Sequence, residues 1–108
     1  MISHITDSDF EEFVKVGVSL IDFWAVWCGP CRAFGLVFGA AADSGDFAAV
    51  KFGKYEITDV NRTKALALGV RSIPCVVAFR DGAEVDRKVG LMDEDSFKLW
   101  IKELRDGN

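Results

Sequence analysis

Residues 22–31, DFWAVWCGPC, end a run of apolar residues with two cysteines that are separated only by Gly29 and Pro30. A crosslink between cysteines this close in sequence closes a very short loop, so it gives little of the stabilisation expected of a long-range structural disulfide. We therefore expect Cys28 and Cys31 to serve chemistry rather than stability.

Length and composition limit the classes of protein to which the chain can belong. It has 108 residues, half of them hydrophobic, which predicts one domain spanning residues 1–108 with a modest core. The net charge is -4, with 17 acidic and 13 basic side chains. Because a nucleic-acid surface shows clustered Lys and Arg, we expect no nucleic-acid partner.

The amino-terminal residues carry no targeting signal in the chain as given. The stretch MISHITDSDFEEF lacks a positive region followed by an uninterrupted apolar run, and no apolar stretch is long enough for a membrane span. We therefore expect a cytoplasmic protein that does not enter a membrane. In a reducing compartment, a C-x-x-C pair indicates redox or metal chemistry.

Helix and strand patterns alternate through the first half of the chain. Ser8 and Glu11 fit a capping box before a first helix, which should end at Gly17. Residues 18–25 form an apolar run broken only by Asp22, as expected of a strand covered on both faces. A second helix should follow Cys28 and fade at residues 43–45.

The second half adds antiparallel strands and a closing helix. We expect a strand within residues 47–58 and a short helix over residues 61–68. Residues 75–79 and 85–89 read as a hairpin with an Asp-Gly turn, and Asp93 should cap a last helix. The chain is therefore predicted to be α/β, with a mixed central sheet and helices on both faces.

The two cysteines should have different roles. Cys28 would begin a helix, where unpaired N–H groups and the positive end of the helix dipole favour the thiolate, so it is the predicted nucleophile. Cys31, one turn later, could attack a mixed disulfide at Cys28 and release the partner. Pro30 would stiffen the turn, while Gly29 would let a partner's backbone approach closely.

Asp22 is the predicted general base for Cys31. A carboxyl group in an apolar strand should have a raised pKa, which would let it exchange a proton with a thiol near neutral pH, directly or through water. The alternative is that Asp22 satisfies a neighbouring polar group or points outward. We favour the catalytic interpretation because a carboxyl group is costly to bury unless it is used or paired.

The chain resembles the thioredoxin family over nearly its whole length. The resemblance rests on DFWAVWCGPC, on VRSIP at residues 70–74, on FRDG at residues 79–82 and on KVG at residues 88–90. It implies the thioredoxin fold, a three-layer α/β/α arrangement of about five strands and about four helices. It also implies a redox-active Cys28–Cys31 disulfide, no bound cofactor and a monomer.

Further site residues follow from the resemblance. Pro74 matches the family's cis-proline, which packs beside the disulfide, and Lys54 matches the lysine that pairs with the buried aspartate. Trp24 matches a structural tryptophan behind the motif. The residues that match the substrate groove are Trp27, Ser72, Ile73 and Gly90.

Two positions depart from the family pattern. Leu36 stands where the family has a helix-kinking proline, so the second helix either runs straighter or bends at Gly35 and Gly39. Cys75 stands where a threonine is common, and it is either a third reactive thiol or, as we favour, a small buried residue. A metal site formed by the three cysteines and His4 would lack a recognisable zinc signature, so none is expected.

The resemblance implies a thiol–disulfide oxidoreductase that reduces protein disulfides. Its partners would be disulfide-containing proteins and a flavoprotein thioredoxin reductase that supplies electrons from NADPH. The alternative is a binding or chaperone-like module of the same fold whose redox motif is incidental. The intact motif together with Asp22 favours the oxidoreductase.

Overall fold

The computed structural model describes residues 1–107, so Asn108, the last residue of the predicted domain, lies outside it. Within residues 1–107 the chain forms five strands and four helices. The strands are β1 (Ile2–His4), β2 (Val18–Trp24), β3 (Lys51–Glu56), β4 (Cys75–Arg80) and β5 (Ala83–Val89). The helices are α1 (Phe10–Val14), α2 (Gly29–Asp43), α3 (Thr63–Ala67) and α4 (Glu94–Arg105).

The strands form one mixed sheet in the order β1-β3-β2-β4-β5. Strands β1, β3 and β2 are parallel, whereas β4 runs antiparallel to β2 and β5 antiparallel to β4. The predicted mixed sheet is therefore confirmed. Strand β1 has only three residues, too few to show an alternating pattern, and it was not recognised from the sequence.

Helices cover both faces of the sheet, as the alternation of elements predicted. One face is packed by α2 and α4 through a core that includes Phe34, Phe38 and Phe97. The opposite face is packed by α1 and α3, where Phe10 and Ala65 are buried. Complete burial of an aromatic side chain such as Phe97 contributes about 1.5–3 kcal/mol to folding. This packing fixes α2, which carries the two cysteines, against the sheet.

Of the local features predicted from the sequence, the hairpin turn is present and the capping box of the first helix is not. The Asp-Gly turn is confirmed: Asp81 and Gly82 both have positive φ, 52° and 87°, as a two-residue hairpin turn requires. The capping box is wrong, because α1 has Asp9 rather than Ser8 at its N-cap and the Ser8 hydroxyl lies 3.0 Å from that of Thr6. None of the helices in the described chain has the length and apolar character needed to cross a membrane.

Candidate functional site

Cys28 is the N-cap of α2, at the point where the chain leaves β2 and turns into the helix. Its backbone is extended, with φ -96° and ψ 109°, and Pro30 occupies the first turn of the helix. Its sulfur accepts a hydrogen bond of 3.2 Å from the backbone N–H of Cys31. A sulfur at this position faces unpaired helix N–H groups, which stabilise negative charge.

The two cysteines form a disulfide, with their Cα atoms 5.2 Å apart. Cys28 is 6% exposed and Cys31 only 1%, so the edge of the disulfide that a partner can reach belongs to Cys28. Arg32, for which no sequence pattern predicts a role, donates a hydrogen bond of 3.0 Å from its guanidinium to the carbonyl of Val26. This bond ties the loop before Cys28 to the first turn of α2.

The segment before β4 brings a second backbone to the disulfide. The Ile73–Pro74 peptide bond is cis, and the carbonyl oxygen of Ile73 lies 3.8 Å from the sulfur of Cys28. Gly90 then donates a backbone hydrogen bond of 2.8 Å to the carbonyl of Pro74. Three of the residues predicted from the resemblance are thus connected by contacts to the cysteine pair.

The other residues predicted for the groove surround the cysteines with exposed surface. Trp27 is 74% exposed, and Gly29 and Pro30 are also exposed at the start of α2. Ile73 is half-buried and packs against the cluster that contains both cysteines, whereas Ser72 is exposed. An exposed tryptophan beside a disulfide provides apolar area that a binding partner can cover.

Asp22 and Lys54 form a pair beneath α2. They are register partners on the neighbouring strands β2 and β3, so their side chains leave the sheet on the same face. The Lys54 ammonium lies 3.6 Å from Oδ2 of Asp22, and Asp22 is 0% exposed while Lys54 is 17% exposed. Both carboxylate oxygens of Asp22 lack a hydrogen-bond partner among the described residues.

The environment of Asp22 makes it a weak acid. Burial is the main cause and raises its pKa from the usual 3.8 to about 6, while the charge of Lys54 acts in the opposite direction. Loss of hydration disfavours the carboxylate more than one ammonium at this distance can offset. A carboxyl group with this pKa can both accept and release a proton near neutral pH.

Trp24 lies between the ion pair and the cysteines. The Lys54 ammonium sits 4.8 Å from the centre of the Trp24 ring, a distance at which the ring attracts a cation. Trp24 also packs against the cluster that contains Cys28 and Cys31. Trp24, which is expected to be a structural tryptophan, thus contacts both the Lys54 ammonium and the cluster of the two cysteines.

The remaining cysteine is buried on the other side of the sheet. Cys75 is 1% exposed and packs within the core beneath α1 and α3, and burial raises the pKa of its thiol. This agrees with the interpretation of Cys75 as a small core residue. Residues 1–107 contain no group of three or more His, Cys, Asp or Glu side chains placed to bind a metal ion.

Comparison with known proteins identifies relatives over nearly the whole chain. The family model described as Thioredoxin matches residues 1–103. The thioredoxin of Chlamydia caviae is 41% identical over 103 residues, covering 95% of this chain and 98% of that protein. The thioredoxin of Staphylococcus haemolyticus is 39% identical over 99 residues, covering 88% of this chain and 89% of that protein.

A solved structure supports the same relationship. The crystal structure of the thioredoxin of Malassezia sympodialis superposes with a TM-score of 0.84 at 33% sequence identity. The match covers 95% of this chain and 90% of the Malassezia sympodialis chain. The overall arrangement of the helices and the sheet is therefore that of a known structural family.

Proposed function

The chain belongs to the thioredoxin family and is a thiol–disulfide oxidoreductase that reduces protein disulfides, and from this premise we propose that Cys28 is the attacking thiolate and Cys31 the resolving thiol. The single observation that carries the assignment is the position of Cys28 at the N-cap of α2. There its sulfur accepts the N–H of Cys31, an interaction that stabilises a thiolate in the reduced protein. Cys31 is almost completely buried, so a protein substrate meets Cys28 first.

The reaction proceeds in two exchanges. The Cys28 thiolate attacks one sulfur of the substrate disulfide, that disulfide breaks, and the substrate sulfur that leaves takes up a proton. Cys31 then loses its proton and attacks the Cys28 sulfur, which releases the second substrate thiolate and forms the Cys28–Cys31 disulfide. The released thiolate also takes up a proton, so the substrate gains two electrons and two protons, while the protein loses two electrons and the Cys31 proton and solvent supplies the other proton.

Asp22 is the proposed acceptor of the Cys31 proton, directly or through water. Its burial beneath α2 and its pKa of about 6 support this role, because the carboxylate is present at neutral pH and holds a proton readily. Lys54 would keep enough of Asp22 ionised for the transfer, since its ammonium charge lowers the pKa that burial raises.

The substrate would bind across the surface around Cys28. An extended segment of substrate would lie over Trp27, Gly29 and Pro30 on one side of the disulfide. The other side would be formed by Ser72, Ile73, Pro74 and Gly90. The contact of Ile73 with the Cys28 sulfur and the hydrogen bond between Gly90 and Pro74 support this arrangement.

We propose the physiological setting from membership of the thioredoxin family: a monomeric, cytoplasmic protein without a bound cofactor, in which residues 1–108 form one domain. A flavoprotein thioredoxin reductase would reduce the Cys28–Cys31 disulfide with electrons from NADPH. Disulfide-containing proteins would be the substrates, with neither nucleic acid nor membrane as a partner.

Insulin reduction with dithiothreitol as the electron source tests the assignment of the two cysteines. Cys28→Ser should abolish activity, and Cys31→Ser should instead accumulate a covalent mixed disulfide with a substrate peptide, visible by mass spectrometry. Cys75→Ala is the matched control and should reduce insulin at the wild-type rate. Trapping of substrate by Cys28→Ser rather than by Cys31→Ser would show that the roles are reversed.

A further inference from the structure

The second helix contains a glycine whose position needs a physical reason. Gly35 lies in the middle of α2, where glycine costs about 1 kcal/mol relative to alanine. Gly39 lies one turn later in the same helix and carries the same intrinsic cost. The two glycines differ in their surroundings in the folded protein.

Gly35 faces the Lys54 side chain across the gap between α2 and the sheet. A Cβ atom built at Gly35 would lie 3.2 Å from the Lys54 ammonium nitrogen, closer than side-chain carbons normally approach. A Cβ atom built at Gly39 would meet nothing within 4 Å. The absence of a side chain therefore leaves room for the Lys54 ammonium at Gly35, whereas at Gly39 a side chain would meet no neighbour.

The Lys54 ammonium is confined on the other sides as well. It lies 3.6 Å from the Asp22 carboxylate and 4.8 Å from the centre of the Trp24 ring. Asp22 is completely buried, so the ammonium can yield only toward the side on which Lys54 retains its 17% exposure. A methyl group on α2 would thus push the ammonium toward solvent and away from the carboxylate.

We propose that Gly35 is a positioning residue, whose missing side chain keeps open the space in which the Lys54 ammonium reaches Asp22. This inference deepens the proposed function: its consequence for catalysis rests on the assignment of Asp22 as the proton acceptor for Cys31, whereas the positioning of Lys54 does not. Glycine lowers the intrinsic stability of the helix at this position, but its missing side chain allows the ion pair to form beneath the first turns of α2.

Lys54 is the charged neighbour of Asp22 through which a side chain at position 35 would act. From β3 the only charged side chain in register with Asp22 is Lys54, and from β4 the register partner is the uncharged Val76. Cys75 of β4 is ionisable, but its thiol is buried in the core on the opposite face. From α2, Cys31 is held in the disulfide in the oxidised protein and does not titrate, so the charge of Lys54 is the one that lowers the pKa of Asp22. A displacement of Lys54 therefore acts on Asp22 without a second charged group to compensate.

The test measures the pKa of Asp22 in the oxidised protein, from the pH dependence of its carboxyl carbon chemical shift. Gly35→Ala should raise this pKa by about 0.2–0.4, the change expected when an ion pair of this length is stretched by a few tenths of an ångström at an effective dielectric of about 20. Gly39→Ala is the matched control: it removes a glycine from the same helix and should leave the pKa of Asp22 unchanged.

A double-mutant cycle with Lys54→Met identifies the group that Gly35 accommodates. In the Lys54→Met background, Gly35→Ala should no longer change the pKa of Asp22, because the ammonium is absent. An Asp22 titration that is the same in wild type and Gly35→Ala would overturn the proposal. So would a shift that persists without Lys54, or a folding defect of Gly35→Ala that Lys54→Met does not relieve.

The rate of insulin reduction as a function of pH separates this proposal from the proposed function. If Gly35→Ala shifts both the titration of Asp22 and the pH profile of the rate, both assignments hold. If the titration shifts while the pH profile does not, Gly35 positions Lys54 as proposed but Asp22 is not the proton acceptor.

Discussion

Replacement of Asp22 by Asn should change the stability of the protein by an amount that depends on pH. Burial raises the pKa of Asp22 from the usual 3.8 to about 6, so between these values the folded protein keeps a proton that the unfolded chain has lost. Stability therefore falls as pH rises through this interval, and it stays lower above it. The gap between the two pKa values corresponds to about 3 kcal/mol.

The substitution isolates this effect because the side-chain amide does not titrate. The amide at position 22 of the variant stays neutral at every pH, and whatever its burial costs is the same in acid and at neutral pH. The difference in stability between Asp22→Asn and wild type should therefore be about 2.5 kcal/mol more favourable to the variant at about pH 7.5 than at about pH 4, where the unfolded chain has already lost part of its proton.

Urea denaturation of the oxidised proteins measures the two free energies of unfolding at each pH. Keeping both proteins oxidised holds the Cys28–Cys31 disulfide constant, and Asp59→Asn, which changes an exposed carboxyl group, serves as the control. The reasoning is refuted if the stability difference between Asp22→Asn and wild type is the same at both pH values. The variant should also reduce insulin more slowly at neutral pH, because Cys31 loses its proposed proton acceptor.

Three further predictions concern residues outside the cysteine motif. Asp7→Ala should lower the free energy of unfolding by about 2–4 kcal/mol, because Asp7 accepts from the Tyr55 hydroxyl and from two backbone N–H groups that begin α3. The Cys75 thiol should not react with Ellman's reagent in the native oxidised protein but should react fully in denaturant, since it is buried and its pKa is raised. Trp100→Phe should raise the pKa of Asp86, followed by carbon NMR, because the indole N–H that donates to this carboxylate at 2.8 Å is lost.

Each of these predictions has a result that would contradict it. Urea denaturation that gives Asp7→Ala wild-type stability would show that the network around α3 contributes nothing net. A native protein whose Cys75 thiol is titrated at the rate of a free thiol would mean that β4 opens readily. An unchanged Asp86 titration in Trp100→Phe would show that burial and neighbouring charges, rather than the indole, set its pKa.

Most of the elements and the nature of the chemistry could be predicted from the amino-acid sequence alone. The cysteine pair at a helix start, the buried strand with its single carboxyl group, the Asp81-Gly82 turn and the cap at Asp93 were all predicted and are all present. These features depend on residues a few positions apart, because helix caps, two-residue turns and side-chain periodicity are local properties of the backbone. Helix α1 begins one residue later than the Ser8 capping box predicts: Asp9 takes the N-cap position without a side-chain cap hydrogen bond, and its carboxylate accepts from the backbone N–H of Thr6 instead.

Contacts between residues that are distant in sequence depend on the packing of the whole chain. Lys54 reaches Asp22 because β2 and β3 pair in one register, and Ile73 reaches Cys28 across 45 positions of sequence. Asp7 contacts the start of α3, 57 positions later in the sequence. No pattern in the sequence around Asp7 or around α3 predicts this contact. Strand register and helix packing set these distances, and both are settled by the burial of the whole core rather than by any short segment. The need for glycine at position 35 belongs to the same class, since it is the packing of α2 over Lys54 that makes the absence of a side chain matter.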